Sequence, residues 1–295
     1  MSNPLLDRVS AYIGRLPTRQ GILGRAALGA PDPGDARLAG DMAATLAAEL
    51  RPDGSVGGAA VPTIWRLHEL LDLGRAPGDA AVRHLAGWVL ARHGQPGAYG
   101  SGCDRARHAQ RLCEHYVGGF FSPAPPRHRL APITLPNGKV FRAEPAARFA
   151  ISCLGLRGLL RAGFEARPEV VRHLGSLRVM AAQWTDWSGF FSPDVIVAGL
   201  HALALGGPAY QPEAGKLVDL IAAYQRPDGQ WPAADLFAVL EALLAVGTRE
   251  AHRVVRRAVP ALADKQRPDG AFGATAQQER ALIGLRAAIW AEAPL

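Results

Sequence analysis

Asp104, His108, Arg111 and His115 follow one another at helical intervals, and Cys103 stands immediately before them. Residues spaced in this way stack along one side of a helix. A carboxylate, two imidazoles and a thiolate on one face have the donor chemistry of a zinc or iron site, with Cys103, Asp104, His108 and His115 as ligands. Without a metal, Asp104, His108 and His115 are proton donors and acceptors for acid-base catalysis. The alternative is a solvated polar face or hydrogen-bonded core histidines. Ala106, Ala109, Leu112, Cys113, Tyr116 and Val117 occupy the other side of the same stretch, which predicts a half-buried helix over 104–117.

Three further acids, Glu144, Asp194 and Asp235, each stand at the start of an apolar, helix-periodic stretch. Acids there complement the helix dipole and cap open amides. If those helices enter a common cavity from one rim, the same carboxylates ring its mouth. Restricted water then raises their pKa toward that of a general acid. Arg142 and Arg148 flank Glu144, and Arg105 and Arg107 follow Asp104, where they are placed to hold an anionic group. His201, two turns after Asp194, is a candidate wall residue or a hydrogen-bonded core histidine.

What positions these residues is a repeat. Arg-Pro-Asp-Gly occurs at Arg51–Gly54, Arg226–Gly229 and Arg267–Gly270, each time between two helix-like stretches. With Gly97, Gly138 and Gly189 as looser copies, turn glycines recur roughly every 40 to 50 residues, the period of stacked helix pairs. The six units predict an all-α fold, a single (α/α)6 toroid of six helix pairs. In the fifth unit Asp235–Val246 carries Leu236, Val239, Leu240, Leu243 and Leu244 at helical spacing and must face other helices. Residues 1–34 are predicted as a cap helix and linker, and 35–295 as the toroid. Gly118–Pro136 holds five prolines without helical period, which marks an insertion, either a lid or a plain loop.

Composition narrows the function. Of 33 basic residues only Lys139, Lys216 and Lys265 are lysines, and the net charge of +7 is dispersed. Nucleic-acid binding needs a basic patch, so no nucleic-acid partner is expected, whereas an anionic small molecule suits this balance. The sequence contains no apolar run of membrane-spanning length and no secretory leader pattern, and its three cysteines make a disulfide framework implausible. A cytoplasmic location with reduced thiols is expected.

Gln225-Arg-Pro-Asp-Gly229-Gln-Trp231 has the Gln-x3-Gly-x-Trp form of the repeat found in squalene and other class II terpene cyclases, and Gln266 to Phe272 is its aromatic-swapped copy. The chain resembles that superfamily, which includes protein prenyltransferase β subunits and has an α/α toroid of six inner and six outer helices. Gln225, Trp231, Gln266 and Phe272 are then structural staples. The resemblance implies an acid motif Asp-x-Asp-Asp on an inner helix, whose counterpart is Asp194-Val195-Ile196-Val197, with only the first aspartate kept. Of the prenyltransferase zinc segment Asp-Gly-Cys only Gly102-Cys103 is matched, with Ser101 in place of the aspartate and no counterpart to the later histidine in the stretch Phe149 to Cys153. The resulting expectation is a single-toroid enzyme acting on a hydrophobic, isoprenoid-like molecule, with or without an anionic group, by a cyclase, lyase or transferase step. The alternatives are a non-catalytic scaffold for a peptide or partner protein, and a subunit needing a partner.

Overall fold

The computed structural model describes residues 3–93, 129–187 and 193–294, and among these it holds twelve α-helices and one small hairpin. The helices are α1 (Pro4–Gly14), α2 (Arg19–Ala27), α3 (Asp35–Ala48), α4 (Ala60–Asp72) and α5 (Ala80–His93). They continue as α6 (Glu144–Arg161), α7 (Pro168–Ala181), α8 (Pro193–Ala204), α9 (Gln211–Ala223), α10 (Leu236–Val246), α11 (Arg249–Asp264) and α12 (Gln277–Glu292). Between α5 and α6, β1 (Ile133–Thr134) pairs antiparallel with β2 (Val140–Phe141).

Even-numbered helices form a closed inner ring, each packing on the next, with α12 returning to α2 and α2 to α4. Odd-numbered helices lie outside; all but α9 pack against both flanking helices of the ring, and α9 packs on α8 and on its outer neighbours α7 and α11. This is an all-α toroid. The inner helices are apolar on more than one side because they face both the outer layer and each other: α8 buries Val195, Ile196, Val197, Leu200 and Leu203, and α10 buries Leu236, Val239, Leu240 and Leu243.

The turn motif shows why the ring closes. Gly229 has φ +83°, and a Cβ there would lie 2.6 Å from the carbonyl oxygen of Arg257 on α11. Gly270 has φ +90°, and its Cβ would lie 2.2 Å from the carbonyl oxygen of Arg8 on α1. Glycine is required at both for conformation and for space. The glutamines repeat the relation: the amide of Gln225 donates to Val254 O at 3.1 Å, and that of Gln266 to Leu5 O at 3.0 Å. The last repeat is therefore stapled to α1 as the fifth is to α11.

This closure revises the expected register. Residues 1–34 are not a cap outside the toroid; they hold the helix pair α1 and α2, which completes the ring. The linker reading failed because α2 carries almost no apolar stripe. It approaches α1 through glycines, where a Cβ at Gly24 would fall 2.0 Å from Cγ2 of Ile13. The ring then has its six inner helices without a helix from 104–117, a stretch that lies outside the described residues. The third expected helix-helix turn, around Gly138, is instead the β1–β2 hairpin, set over the N-terminal ends of the inner helices. In α11 the apolar residues Val254, Val255, Ala258, Ala261 and Leu262 carry the helix through Pro260.

Candidate functional site

A cavity of about 650 Å³ runs along the axis of the ring, and all six inner helices contribute to its wall. Helical spacing explains which residues reach it. Trp65, His68 and Asp72 follow at i, i+3 and i+7 on α4, Arg157 and Arg161 at i and i+4 on α6, and Glu279, Leu282, Ile283 and Arg286 on one face of α12. Arg19 from α2, His201 from α8 and Glu241 from α10 complete a polar belt. Leu205, Leu244, Leu282, Ile283 and Ile289 supply apolar wall, with Trp65 and Trp290 as aromatic faces.

The belt is tightly paired. Arg19 donates to both Asp72 and Glu279, and Asp72 also accepts from Arg161. Gln20 adds a second bond to Glu279 at 3.0 Å. Arg157 pairs with Glu241 at 2.8 Å, and the other Glu241 oxygen accepts from Asn137 at 3.0 Å. Burial alone would raise Asp72, but Arg161 and Arg19 outweigh it and hold that carboxylate below its ordinary range. Burial dominates at Glu279, whose carboxyl is pushed above its ordinary range against the opposing pull of Arg19 and Gln20. Arg19 loses solvation too, yet Glu279 and Asp72 keep it a firm cation.

His68 is fixed in one form by its partners. Its Nε2 lies 2.9 Å from Leu154 O, which only accepts, and its Nδ1 lies 3.0 Å from Arg161, which only donates. Both bonds form only in the neutral, Nε2-protonated tautomer. Burial, reinforced by Arg157 and Arg161, lowers its pKa to about 3. His201 is likewise buried and held well below its ordinary value, again beside Arg157 and Arg161. At neutral pH the wall thus carries the cations Arg19, Arg157, Arg161 and Arg286 against the carboxyl groups of Asp72, Glu241 and Glu279. Arg286 is exposed in the cavity, and no ion pair to it is seen among the described residues.

Above the belt the hairpin plugs the N-terminal rim. Lys139 pairs with Asp194, and Arg280 donates to Asn137 O at 2.9 Å and to Asp235 at 3.2 Å. Beneath it lies a space of only about 30 Å³ that Asp194, Lys139, Cys153 and His201 share. Burial raises Asp194, partly offset by Lys139.

The chain has the fold of a type II terpene cyclase. It superposes on the apo form of MstE from Scytonema with a TM-score of 0.51 and 24% identity, covering 90% of this chain and 71% of that one. An MstE variant in complex with geranylgeranyl dihydroxybenzoate gives a TM-score of 0.55 at 19% identity, over 96% and 86% of the two chains. A protein from Actinoplanes gives 0.53 at 18%, over 97% and 89%. No family model and no curated protein matches the sequence.

The acids expected to ring the mouth occupy the plug and its supports. Glu144 accepts from the amides of Leu130 and Ala131 and from Arg148, so it anchors the strand entering the hairpin. Asp235 caps α10 through Phe237 N and Ala238 N. Arg142 is exposed, Arg148 serves Glu144, and His201 does line the cavity. Cys103, Asp104, Arg105, His108 and His115 lie outside the described residues. Among the described residues no group of three or more His, Cys, Asp or Glu is disposed to hold a metal ion, and no helix is long and apolar enough to cross a membrane. Exposed large apolar side chains there are Val140, Val171, Val179 and Tyr224, spread over three separate elements.

Sequence reasoning missed Arg19, His68, Asp72, Arg157, Arg161, Glu241 and Glu279. A signal was present in α6 and α4, where Arg157, Arg161, His68 and Asp72 interrupt otherwise apolar faces. Arg19 and Glu279 gave none without the ring closure that joins their helices.

Proposed function

We propose that this chain is a single-toroid, terpene-cyclase-like enzyme acting on a hydrophobic, isoprenoid-like small molecule that carries an anionic group. The observation that carries the reading is the axial cavity: its volume of about 650 Å³ falls in the range of small-molecule sites, and a belt of paired charged side chains converges on it beside the apolar wall of Leu205, Leu244, Leu282, Ile283 and Ile289. A scaffold reading calls instead for a plugged or shallow centre. Arg286, exposed in the cavity and without an ion pair among the described residues, is the anchor for the anionic group.

The step is a cyclase, lyase or transferase step without the Asp-x-Asp-Asp acid. Ile196 and Val197, which stand where two of those aspartates would be, are packed in the core and carry no proton. Glu279 is the best-placed donor. Its carboxyl faces the cavity with a raised pKa, and Arg19 and Gln20 stand ready to hold the carboxylate left after transfer. In a cyclisation the proton adds to one alkene carbon, the ring closes on the cation, and loss of a second proton restores neutrality. Trp290 offers a π face to the passing positive charge.

Incubation with prenylated acids and prenyl diphosphates, followed by mass spectrometry of products, tests the reading. Turnover that Glu279→Gln abolishes while binding persists supports it. Turnover untouched by that change moves the acid elsewhere, and failure of every such compound to bind removes the substrate class. The zinc or iron expectation at Cys103, Asp104, His108 and His115 is tested separately by the metal content of untagged protein.

A further inference from the structure

The central cavity has a second space behind it. A groove of about 470 Å³ lies on the N-terminal rim between α2, α4, α12 and the hairpin, lined by Gln20, Val61, Thr134, Pro136 and Gln277 among others. Among the described residues, two side chains border both spaces, Trp65 and Glu279. Trp65 is held by two groups: the Arg19 guanidinium sits 4.8 Å from the ring centroid, and the His68 imidazole stacks on the ring at 5.5 Å. Arg19 is itself tied to Asp72 and Glu279, so the indole has little freedom to swing aside. The groove beyond is lined by apolar and neutral polar groups, with Glu279 its one charged member, so it suits an uncharged chain and not a second anion.

We propose that Trp65 is the partition that sets how long an apolar chain the central cavity accepts, and that the rim groove is the space a longer chain enters once the ring is removed. This rests on the small-molecule reading above and adds to it a specificity-determining residue. A chain lying with its anionic end at Arg286 meets the indole at the far end of the cavity and stops there.

The test compares wild type, Trp65→Leu and Trp65→Ala in binding straight-chain fatty acids of increasing length, with Trp65→Leu as the variant that best preserves packing. In wild type each added methylene raises affinity about fourfold, the equivalent of ~0.8 kcal/mol, until the chain reaches the ring, after which affinity levels off. Both variants move the levelling to longer chains. Adding Val61→Trp, which fills the groove, moves it back. The same levelling length in all proteins overturns the partition. If no fatty acid binds wild type, the small-molecule reading fails by itself, and xenon, which needs no ligand chemistry, decides the partition. Two xenon signals in wild type that merge in Trp65→Ala support it, and an unchanged pattern overturns it.

Discussion

Arg157 on α6 and Glu241 on α10 are joined by a 2.8 Å hydrogen bond that reaches past α8, the helix between them in the ring. The pair braces non-adjacent walls of the cavity, and Asn137 of the hairpin plug bonds the same carboxylate. Both side chains are largely buried, with relative exposures of 14% and 22%. Removing one partner strands the other charge, so Arg157→Ala and Glu241→Ala are each expected to cost about 2 to 3 kcal/mol, somewhat below a fully buried pair. Replacing both with Met and Leu recovers most of that loss. Urea unfolding midpoints of the two single variants and the double variant check this, and additive losses would mean that the pair does not act as a unit.

The histidines give the protein an acid limb. His68 titrates at about 3 when folded and at its ordinary 6.5 when unfolded. The unfolded chain therefore binds the extra proton first. Stability is complete above pH 6.5 and falls as pH drops toward about 3, by up to ~1.4 kcal/mol per pH unit for this one group. His68→Gln keeps an acceptor for Arg161 and a donor for Leu154 O but cannot protonate. Its unfolding free energy should fall less steeply over the same window, with His201 and the depressed carboxylates Asp35, Asp72 and Glu144 contributing to the remaining slope. Denaturant titrations at stepped pH give the two slopes, and equal slopes would exclude His68 as a contributor.

Most of the helices were legible in the sequence, because burial on two sides leaves long apolar patterns such as those of α6, α8 and α10. The all-α toroid was legible in the recurring helix pairs, but the units were not: the turn at Gly138 is the hairpin, and the pair α1–α2 takes the place of the unit expected there. The register of the ring was not legible, because α2 packs through Gly21 and Gly24 and its buried polar residue, Arg19, reads as a surface charge until Asp72 and Glu279 are brought to it. The site suffered from the same blindness. Acids at helix starts are visible in sequence, but Glu144 and Asp194 bind the plug and Asp235 caps α10 and pairs with Arg280, whereas those of the cavity sit at ordinary helical positions. Only the closed ring distinguishes them from surface carboxylates.

Ring closure itself makes a prediction. If the last repeat staples to α1 as the fifth does to α11, then Gln266→Ala should cost about 1 to 2 kcal/mol through the amide bond to Leu5 O lost from a partly buried site. Gly270→Ala should cost more, since a Cβ there meets Arg8 O and the backbone sits at φ +90°. Both should speed proteolysis near the N-terminus, because α1 loses its seat on the last repeat turn. Were residues 1–34 an independent cap, the two substitutions would leave proteolysis of α1 unchanged.

Arg286 separates binding from stability. Its side chain is exposed in the cavity, and among the described residues no salt bridge or hydrogen bond ties it to the wall, in contrast to Arg19, Arg157 and Arg161. Arg286→Gln should therefore shift the unfolding free energy by no more than about 0.5 kcal/mol. A hydrogen bond to a charged group is worth roughly 1.5 to 3 kcal/mol, so affinity for an anionic chain should fall about tenfold to a hundredfold. The corresponding neutral alcohol should bind wild type and variant alike. Calorimetric titration with a fatty acid and its alcohol gives both numbers: an equal loss for acid and alcohol would show that the arginine shapes the cavity and does not hold the charge.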